Sequence, residues 1–176
     1  MALEHERIMN GKNHATFGLS AWTATSAYVA QRGGPQLPEM LVAAPLVLVG
    51  ALAPDIDEPG SKISRQLGVF RHVFPPLVRW ASGGHRGLTH SPWAAVAVTV
   101  ALSFVEALPL LWALAFGFGW LSHLVGDVVT PHGIPAPWSL GGDRISLDLW
   151  RSGTKIESVV VDALAVGAAV FMVSTF

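Results

Sequence analysis

Five apolar segments alternate with polar connections along the chain, and Gly, Pro or charged residues end most of them. We interpret each segment as a helix. The predicted helices cover residues 13–31, 41–53 with an extension back to 37, 92–106, 110–129 and 158–176. No internal repeat divides the chain, so we expect a single domain over residues 1–176.

The composition favours a membrane protein. Hydrophobic residues make up 51% of the chain and charged residues 13%, whereas soluble domains usually carry about 25% charged residues. The segment 110–129 is long enough to span a bilayer, and 158–176 carries Asp162 as its only charge. The first two segments are shorter than the roughly 20 residues of a comfortable span, so a soluble helical core is an alternative. We predict an all-α, integral-membrane bundle of about five helices.

Five alternating helices would carry the ionisable side chains of the connections to one end of the bundle. The candidate functional side chains, which lie in these connections or at the helix ends beside them, are those of His14, Asp55, Asp57, His85, His90, His123, Asp127 and Glu157. Ten of the eleven Lys and Arg residues lie in the N-terminal arm or in the connections at that end, and only Arg32 lies at the other. By the positive-inside rule, the polar end is predicted to face the cytoplasm.

Two features of the composition restrict the function. The chain contains no cysteine, so a metal site would have to use His, Asp and Glu. The net charge is −1, which gives no basic surface for nucleic acid.

The motif HRGLTHS, from His85 to Ser91, concentrates polar chemistry in seven residues. His85 and His90 are five apart, about 140° around an ideal helix, so a turn rather than a helical face must present both. Ser91 before Pro92 is typical of an N-cap followed by proline at the first helical position. The free N–H groups of that helix start would favour a phosphate or carboxylate. The alternative is a polar loop with one capping serine and two surface histidines.

His123 and Asp127 are four residues apart on a predicted spanning helix, so they share one face and could share one ion. An aspartate inside a span costs at least ~2.5–3.5 kcal/mol, which makes it a functional candidate. A His–Asp hydrogen bond that only ties helices together is the alternative.

The acidic motif PDID places Asp55 and Asp57 just after the second helix, where the negative end of the helix dipole disfavours a carboxylate. A bound metal ion would relieve that conflict, and a solvated turn is the alternative. His14 is a weaker candidate, and Glu157 could be only an acid in the first turn of its helix.

Two long connections complete the pattern. Residues 55–84 are predicted to contain a short amphipathic helix at the membrane interface, interrupted by Pro75 and Pro76. Residues 130–154 are rich in Gly, Pro and Trp, which indicates a loop folded over another part of the protein.

The order of motifs NH, PDID, HRGLTHS, SHLVGDVVTPHG and GTKIE resembles that of the YdjM-like family of bacterial inner-membrane proteins, described as metal-dependent hydrolases. This resemblance implies a multi-pass protein of the cell inner membrane. It also implies a metal centre near His14, Asp55, His85, His90, His123 and Asp127. The succession is similar to that of the zinc-dependent phospholipases C as well, but Gly153 stands where their later HxxxE pair has a histidine. One or two ions are therefore expected rather than three. Two are favoured over one, because the six candidate ligands exceed the four that one tetrahedral zinc ion needs.

We expect a membrane-bound metal-dependent hydrolase that cleaves a phosphoester of a lipid-like substrate with metal-activated water. Zn²⁺ is the favoured metal, with Mn²⁺ or Fe²⁺ as alternatives. The expected metal ligands are His14, Asp55, His85, His90, His123, Asp127 and Glu157. The expected catalytic residues are Asp55 or Asp57 as proton acceptor, Arg86 as a guanidinium fork for the phosphoryl group and Thr89 as a secondary contact.

Two non-enzymatic functions remain alternatives to the hydrolase. One is an ion or proton transporter, since intramembrane His and Asp residues also serve proton relays. The other is a scaffold stabilised by a metal ion. Clustering of the polar residues at one end argues against a relay, which needs groups through the depth of the membrane.

Overall fold

The computed structural model of the protein describes residues 11–138 and 142–176. Its helices are α1 (Gly11–Gln31), α2 (Leu37–Val42), α3 (Ala44–Leu52), α4 (Lys62–Arg65), α5 (Phe74–Ala81), α6 (Pro92–Ser103), α7 (Leu110–Val128) and α8 (Lys155–Thr175). Turns of 3₁₀ helix cover Ala53–Asp57, Gly68–His72 and Leu88–His90. In the described residues, β structure is limited to the antiparallel pair of β1 (Ile134–Pro135) and β2 (Arg144–Ile145). The predicted all-α class is confirmed.

Three helical segments of the described chain are long and apolar enough to cross a membrane. They are Leu37–Asp57, Leu110–Val128 and Lys155–Thr175. Helix α6 is apolar but has 12 residues, and α1, although 21 residues long, is not apolar enough to join them. The membrane character of the bundle is therefore confirmed, whereas five spans and a cytoplasmic polar end stay predictions.

Helix α7 packs closely against α3 because two glycines leave room between them. A Cβ atom on Gly119 would strike the carbonyl oxygen of Val47, and one on Gly50 would strike that of Phe116. The two backbones thus approach more closely than larger residues allow. This approach sets the turn that follows α3, which carries Asp55 and Asp57, beside the last turns of α7.

Some element ends differ from the predicted ones. Helix α8 begins at Lys155, three residues early, because the Thr154 side chain caps it by accepting from the Glu157 N–H (3.4 Å). The prediction that Pro75 and Pro76 interrupt a helix was wrong. They lie in the first turn of α5, where a missing N–H costs nothing and the proline ring meets no preceding turn.

The connection after α7 folds back onto the end of that helix, as its composition indicates. The Leu147 N–H donates to the Val128 carbonyl (2.8 Å), and the Leu149 N–H donates to that of Val129 (2.9 Å). The Ser146 hydroxyl also donates to the Thr130 carbonyl (2.6 Å). The connection therefore covers the end of α7 that carries Asp127.

Candidate metal centre

Five buried ionisable side chains converge at one end of the bundle. They come from α1 (His14), the turn after α3 (Asp55), the turn before α6 (His90) and α7 (His123 and Asp127). None is more than 5% exposed. Segments that lie far apart in the chain thus meet at one point, as the sequence predicted for these five residues.

The ligand-type atoms of this cluster face one another. The Nε2 atoms of His90 and His123 lie 3.3 Å apart, and each lies 3.4 Å from Oδ2 of Asp127. Oδ1 of Asp55 lies 3.5 Å from Nε2 of His90 and 3.7 Å from that of His123. Two nitrogens and two carboxylate oxygens therefore surround one small volume.

His14 closes another side of the cluster. Its ring stacks on that of His123, with centroids 3.6 Å apart, and its Nε2 lies 3.8 Å from Oδ1 of Asp127. Both ring nitrogens of His14 and Oδ2 of Asp127 are buried without a hydrogen-bond partner. A buried polar group without a hydrogen-bond partner destabilises the folded state by about 1–3 kcal/mol. A bound ligand would give these atoms the partner that the protein does not supply.

The tautomer of His123 suits metal binding. Its Nδ1 lies 2.8 Å from the carbonyl oxygen of Ala51. A carbonyl can only accept a hydrogen bond, so Nδ1 carries a proton, and in the neutral ring Nε2 presents its lone pair to the cluster. Metal-binding histidines in proteins are commonly held by such a bond from the other ring nitrogen.

His90 is held in a similar way. Its Nδ1 lies 3.1 Å from the Thr89 hydroxyl, and its Nε2 points into the cluster. Burial lowers the pKa of His90 below its ordinary value, in spite of the nearby Asp55 and Asp127. The imidazole is therefore neutral at neutral pH, which is the form that binds a metal.

The donor set fits a divalent cation. Among the described residues, His14, Asp55 and His123 form one group with ligand atoms within 4.8 Å of one another, and His90, His123 and Asp127 form another. Imidazole nitrogens and carboxylate oxygens are ligands of Zn²⁺ and of harder divalent ions. Arg86 is the one buried arginine in the part of the chain that the structure describes, and it pairs with Asp127. A cation would balance the negative charge that remains on the buried carboxylates. These buried groups could hold a metal ion.

Arg86 bonds to the cluster rather than standing free. Its backbone has a φ of 59°, and its Nη2 donates to Oδ1 of Asp127 at 2.7 Å. Its Nη1 is buried without a hydrogen-bond partner. One arm of the predicted guanidinium fork, Nη2, therefore binds Asp127, and the other arm, Nη1, is left for a ligand.

Asp57 organises the HRGLTHS turn. Its Oδ1 lies 3.0 Å from Nδ1 of His85, and its Oδ2 accepts from the Arg86 N–H and the Thr89 hydroxyl, both at 3.3 Å. Asp57 is fully buried, so both of its oxygens are committed to this turn. Together with Asp57, Thr89 thus holds the turn and the ring of His90.

His85 lies at the edge of the cluster. Its ring stands edge-on to that of His90, with centroids 5.7 Å apart, but it belongs to neither group of close ligand atoms. Its Nε2 is buried without a hydrogen-bond partner. The structure thus pairs His85 with Asp57 and leaves its second nitrogen available.

Glu157 is placed with a different set of partners. Its Oε1 accepts from the Asn13 side chain at 2.7 Å, and its Oε2 accepts from the Gly153 N–H at 2.5 Å. These bonds join the start of α1 to the start of α8. Glu157 is buried beside the cluster end of the bundle, but it does not join either group of close ligand atoms.

Sequence reasoning missed two residues that shape the site. Asn13 holds Glu157, and its position beside His14 was the available signal. Arg144 donates to the carbonyls of His132 (2.6 Å), Gly133 (3.0 Å) and Arg86 (3.4 Å). Burial, together with the Arg86 guanidinium, lowers the pKa of Arg144. No spacing in the sequence indicates that this loop arginine reaches the HRGLTHS turn.

A family model described as YdjM inner membrane protein matches residues 9–175. The chain belongs to this family. It is 30% identical over 129 residues to the inner membrane protein YdjM of Escherichia coli (strain K12), and equally to that of Shigella flexneri. The matched region covers 69% of this chain and 62% of each relative, so the chain spans less than two thirds of the length of these curated relatives.

The comparisons confirm the family resemblance and place the chain among inner membrane proteins. With three helical segments able to cross a membrane in the described residues, a multi-pass arrangement follows. No solved structure matches the chain. The likeness to zinc-dependent phospholipases C therefore rests on the order of motifs alone.

Proposed function

We propose that this YdjM-family protein is a membrane-bound metal-dependent hydrolase whose buried cluster holds a divalent cation. The observation that carries the proposal is the convergence of the His90 and His123 Nε2 atoms on carboxylate oxygens of Asp55 and Asp127. Unpartnered buried atoms of His14 and Asp127 add to it. Four separate chain segments supply ligand-type atoms to one small volume, which supports a bound cation there.

The ion would be held by His14, Asp55, His90, His123 and Asp127. Zn²⁺ is the first candidate, and Mn²⁺ or Fe²⁺ also accept mixed nitrogen and oxygen ligands. Both groups of close ligand atoms use His123, whose Nδ1 is bonded to Ala51. Since one Nε2 binds one ion, we expect one ion in this cluster rather than two. When bound, such an ion supplies Lewis acidity and lowers the pKa of a coordinated water molecule.

His85 would act as the general acid or base of the reaction. Asp57 orients the His85 ring through Nδ1, which leaves Nε2 free to take up and return a proton beside the cluster. This role replaces direct proton transfer to Asp57, because both Asp57 oxygens already accept hydrogen bonds. The alternative, that His85 is a further metal ligand with Asp57 behind it, fits the same bond.

Arg86 would select the substrate. Its Nη2 holds Asp127 in place, and the unpartnered Nη1 can donate to an anionic oxygen. A guanidinium suits the oxygens of a phosphoryl group as charge builds on them. Together with the membrane-crossing helices, this favours a phosphoester of a lipid-like molecule. The bias of basic residues favours the cytoplasmic face for the reaction.

Turnover by the purified protein tests this proposal. Detergent-purified protein would be assayed on phospholipids, isoprenoid phosphates and soluble phosphoesters, with and without chelator. We expect chelator-sensitive hydrolysis that a His123→Ala/Asp127→Ala double variant loses and that a His72→Ala variant keeps, since His72 is exposed and lies outside the cluster. Absence of chelator-sensitive turnover on the whole panel, by protein that carries its metal, would contradict the hydrolase.

A second function is favoured by the burial of the cluster. All five residues are at most 5% exposed, which suits an ion that only ties helices together. In that case, the chelator would lower the melting temperature of the wild type while no substrate is turned over. An ion whose free concentration is 100 times its Kd stabilises the folded state by about 2.7 kcal/mol, which is enough to measure.

A further inference from the structure

An apolar cleft on the outside of the bundle is lined by residues of α6 and α7, together with residues of α1 and α2. Its volume is about 440 Å³. Its lining includes Trp22, Ala95, Val96, Thr99, Leu114 and Leu121.

The cleft offers hydrocarbon surface to a ligand. The hydroxyl of Thr99 donates to the Ala95 carbonyl at 2.7 Å, and the indole N–H of Trp22 donates to that of Met40 at 2.8 Å. Both polar side chains of the lining are thus satisfied within the protein. Gly117 lines the cleft where a Cβ atom would strike the Thr99 hydroxyl, so α6 and α7 meet closely and form a floor there.

The cleft has a defined direction relative to the metal centre. Along α7 it extends from Leu111 to Leu121, about 15 Å at 1.5 Å per residue. At one end, Leu121 lies two residues before His123, and Ala95 lies in the first turns of α6, just beyond His90. The other end reaches Val29 and Pro35, at the opposite end of α1 from His14. One end of the cleft is therefore at the height of the cluster along the bundle, on the opposite side of α7 from His123, since residues two apart on a helix face opposite ways.

The rim of the cleft is exposed on the outer surface of the helices. Val96, Leu114 and Leu121 are 48%, 50% and 46% exposed, and α7 is itself able to cross a membrane. In a bilayer, the surroundings of such a rim are the acyl chains of lipids. Those chains are apolar and extended, as the cleft is.

We infer that this cleft binds one acyl chain of a bilayer lipid, with the polar head of that lipid at the end of the bundle that holds the metal cluster. The inference rests on the proposed hydrolase only where it makes this lipid the substrate. The proposed ligand is a glycerophospholipid with one acyl chain along α7 and its phosphoester at the cluster end of the bundle. Filling the cleft should then displace the chain without touching the cluster.

Photo-cross-linking tests the inference without relying on turnover. The probe is phosphatidylglycerol with a diazirine in its acyl chain, in vesicles of phosphatidylethanolamine and phosphatidylglycerol that contain the full chain. Labelled peptides are located by mass spectrometry. We expect labels concentrated in the cleft-lining segments of α6 and α7 in the wild type.

Two variants fill the cleft from different helices, Val96→Trp on α6 and Leu114→Trp on α7. Each should lower cleft labelling about tenfold, which corresponds to lost burial of about two methylene groups. Val166→Trp is the matched control, because Val166 is 64% exposed on α8 and does not line the cleft. It should leave cleft labelling unchanged. Only variants that elute like the wild type on size exclusion are compared. If one of the two filling variants does not, the other is used alone.

Uniform labelling of the exposed faces of α6, α7 and α8, or equal cleft labelling in all variants, would overturn the inference. Either result would leave the hydrolase standing if chelator-sensitive turnover is observed. Conversely, cleft labelling that the filling variants abolish supports the lipid site even when no turnover is found.

Discussion

The Nε2 atoms of His90 and His123 face each other at 3.3 Å inside a cluster that is closed to solvent. The Nδ1 atom of His123 lies 2.8 Å from a backbone carbonyl, so in the neutral ring its Nε2 presents a lone pair. Two imidazole lone pairs at this separation repel each other unless a cation or a proton lies between them. Nearby oxygens of Asp55 and Asp127 add negative charge to the same volume. This relationship is the physical basis for a metal ion in the site.

Changing Arg86 to lysine should separate substrate binding from metal binding. Lysine keeps the positive charge beside Asp127 but loses the second donor that Nη1 provides. We expect kcat on a phosphoester to fall roughly 10²-fold, the size of effect seen when one donor to a developing oxyanion is removed. Metal content should remain that of the wild type.

Steady-state kinetics beside metal analysis measures both quantities. Arg79→Lys is the control, because Arg79 pairs with Glu58 and is 40% exposed in its side chain. An Arg86→Lys variant with wild-type kcat would show that Arg86 serves only to hold Asp127.

Replacing His85 by glutamine should remove turnover and leave the metal. Glutamine can still donate to Asp57 from its amide, but it cannot take up a proton as Nε2 of His85 can. A fall of roughly 10²–10⁴-fold in kcat is the usual effect of losing a general acid or base. If metal content falls together with kcat, His85 is a metal ligand, as the sequence alone predicted.

Replacing Glu157 by alanine should act on stability rather than on the site. The carboxylate accepts from Asn13 and Gly153 and joins the starts of α1 and α8. Hydrogen bonds to a charged group contribute about 1.5–3 kcal/mol each, so thermal unfolding should occur at a clearly lower temperature. Asp162→Ala, at an exposed acid on the same helix, should change little. Loss of metal from folded Glu157→Ala protein would instead support the predicted ligand role.

The direction of the helices makes a prediction about topology. Helix α1 runs away from the cluster, α2 and α3 return to it, α6 runs away, α7 returns and α8 runs away, so Gly34 and Phe176 lie at the end opposite to Gly60. With the basic residues on the cluster side, Gly60 should be cytoplasmic and the other two external. Reporter fusions at the three positions measure this, and a cytoplasmic signal at Phe176 with an external one at Gly60 would reverse the assignment.

Local patterns predicted much of the site. Ser91 accepts from the Trp93 N–H and caps α6 (3.2 Å), because a serine before proline is a strong N-terminal signal. The spacing of His123 and Asp127 placed both on one face of α7, and their side chains lie 3.4 Å apart. Such features depend on nearest neighbours in the chain, which a sequence shows directly.

The division of roles among the histidines could not be predicted in this way. His85 and His90 stand in one motif, yet the first pairs with Asp57 and the second enters the cluster. That outcome depends on where the turn after α3 lies, which the close packing at Gly50 and Gly119 decides. The bond from His123 to the Ala51 carbonyl has the same origin, since it joins residues 72 positions apart.

Metal analysis of the detergent-purified protein measures whether the buried cluster holds an ion. Wild-type protein that has never met a chelator should contain about one divalent ion per chain, held by nitrogen and oxygen ligands. The His123→Ala/Asp127→Ala double variant should contain almost none, and the His72→Ala control should match the wild type. Folded wild-type protein with far less than one ion per chain, or a double variant that keeps its metal, would contradict a divalent ion bound in this cluster.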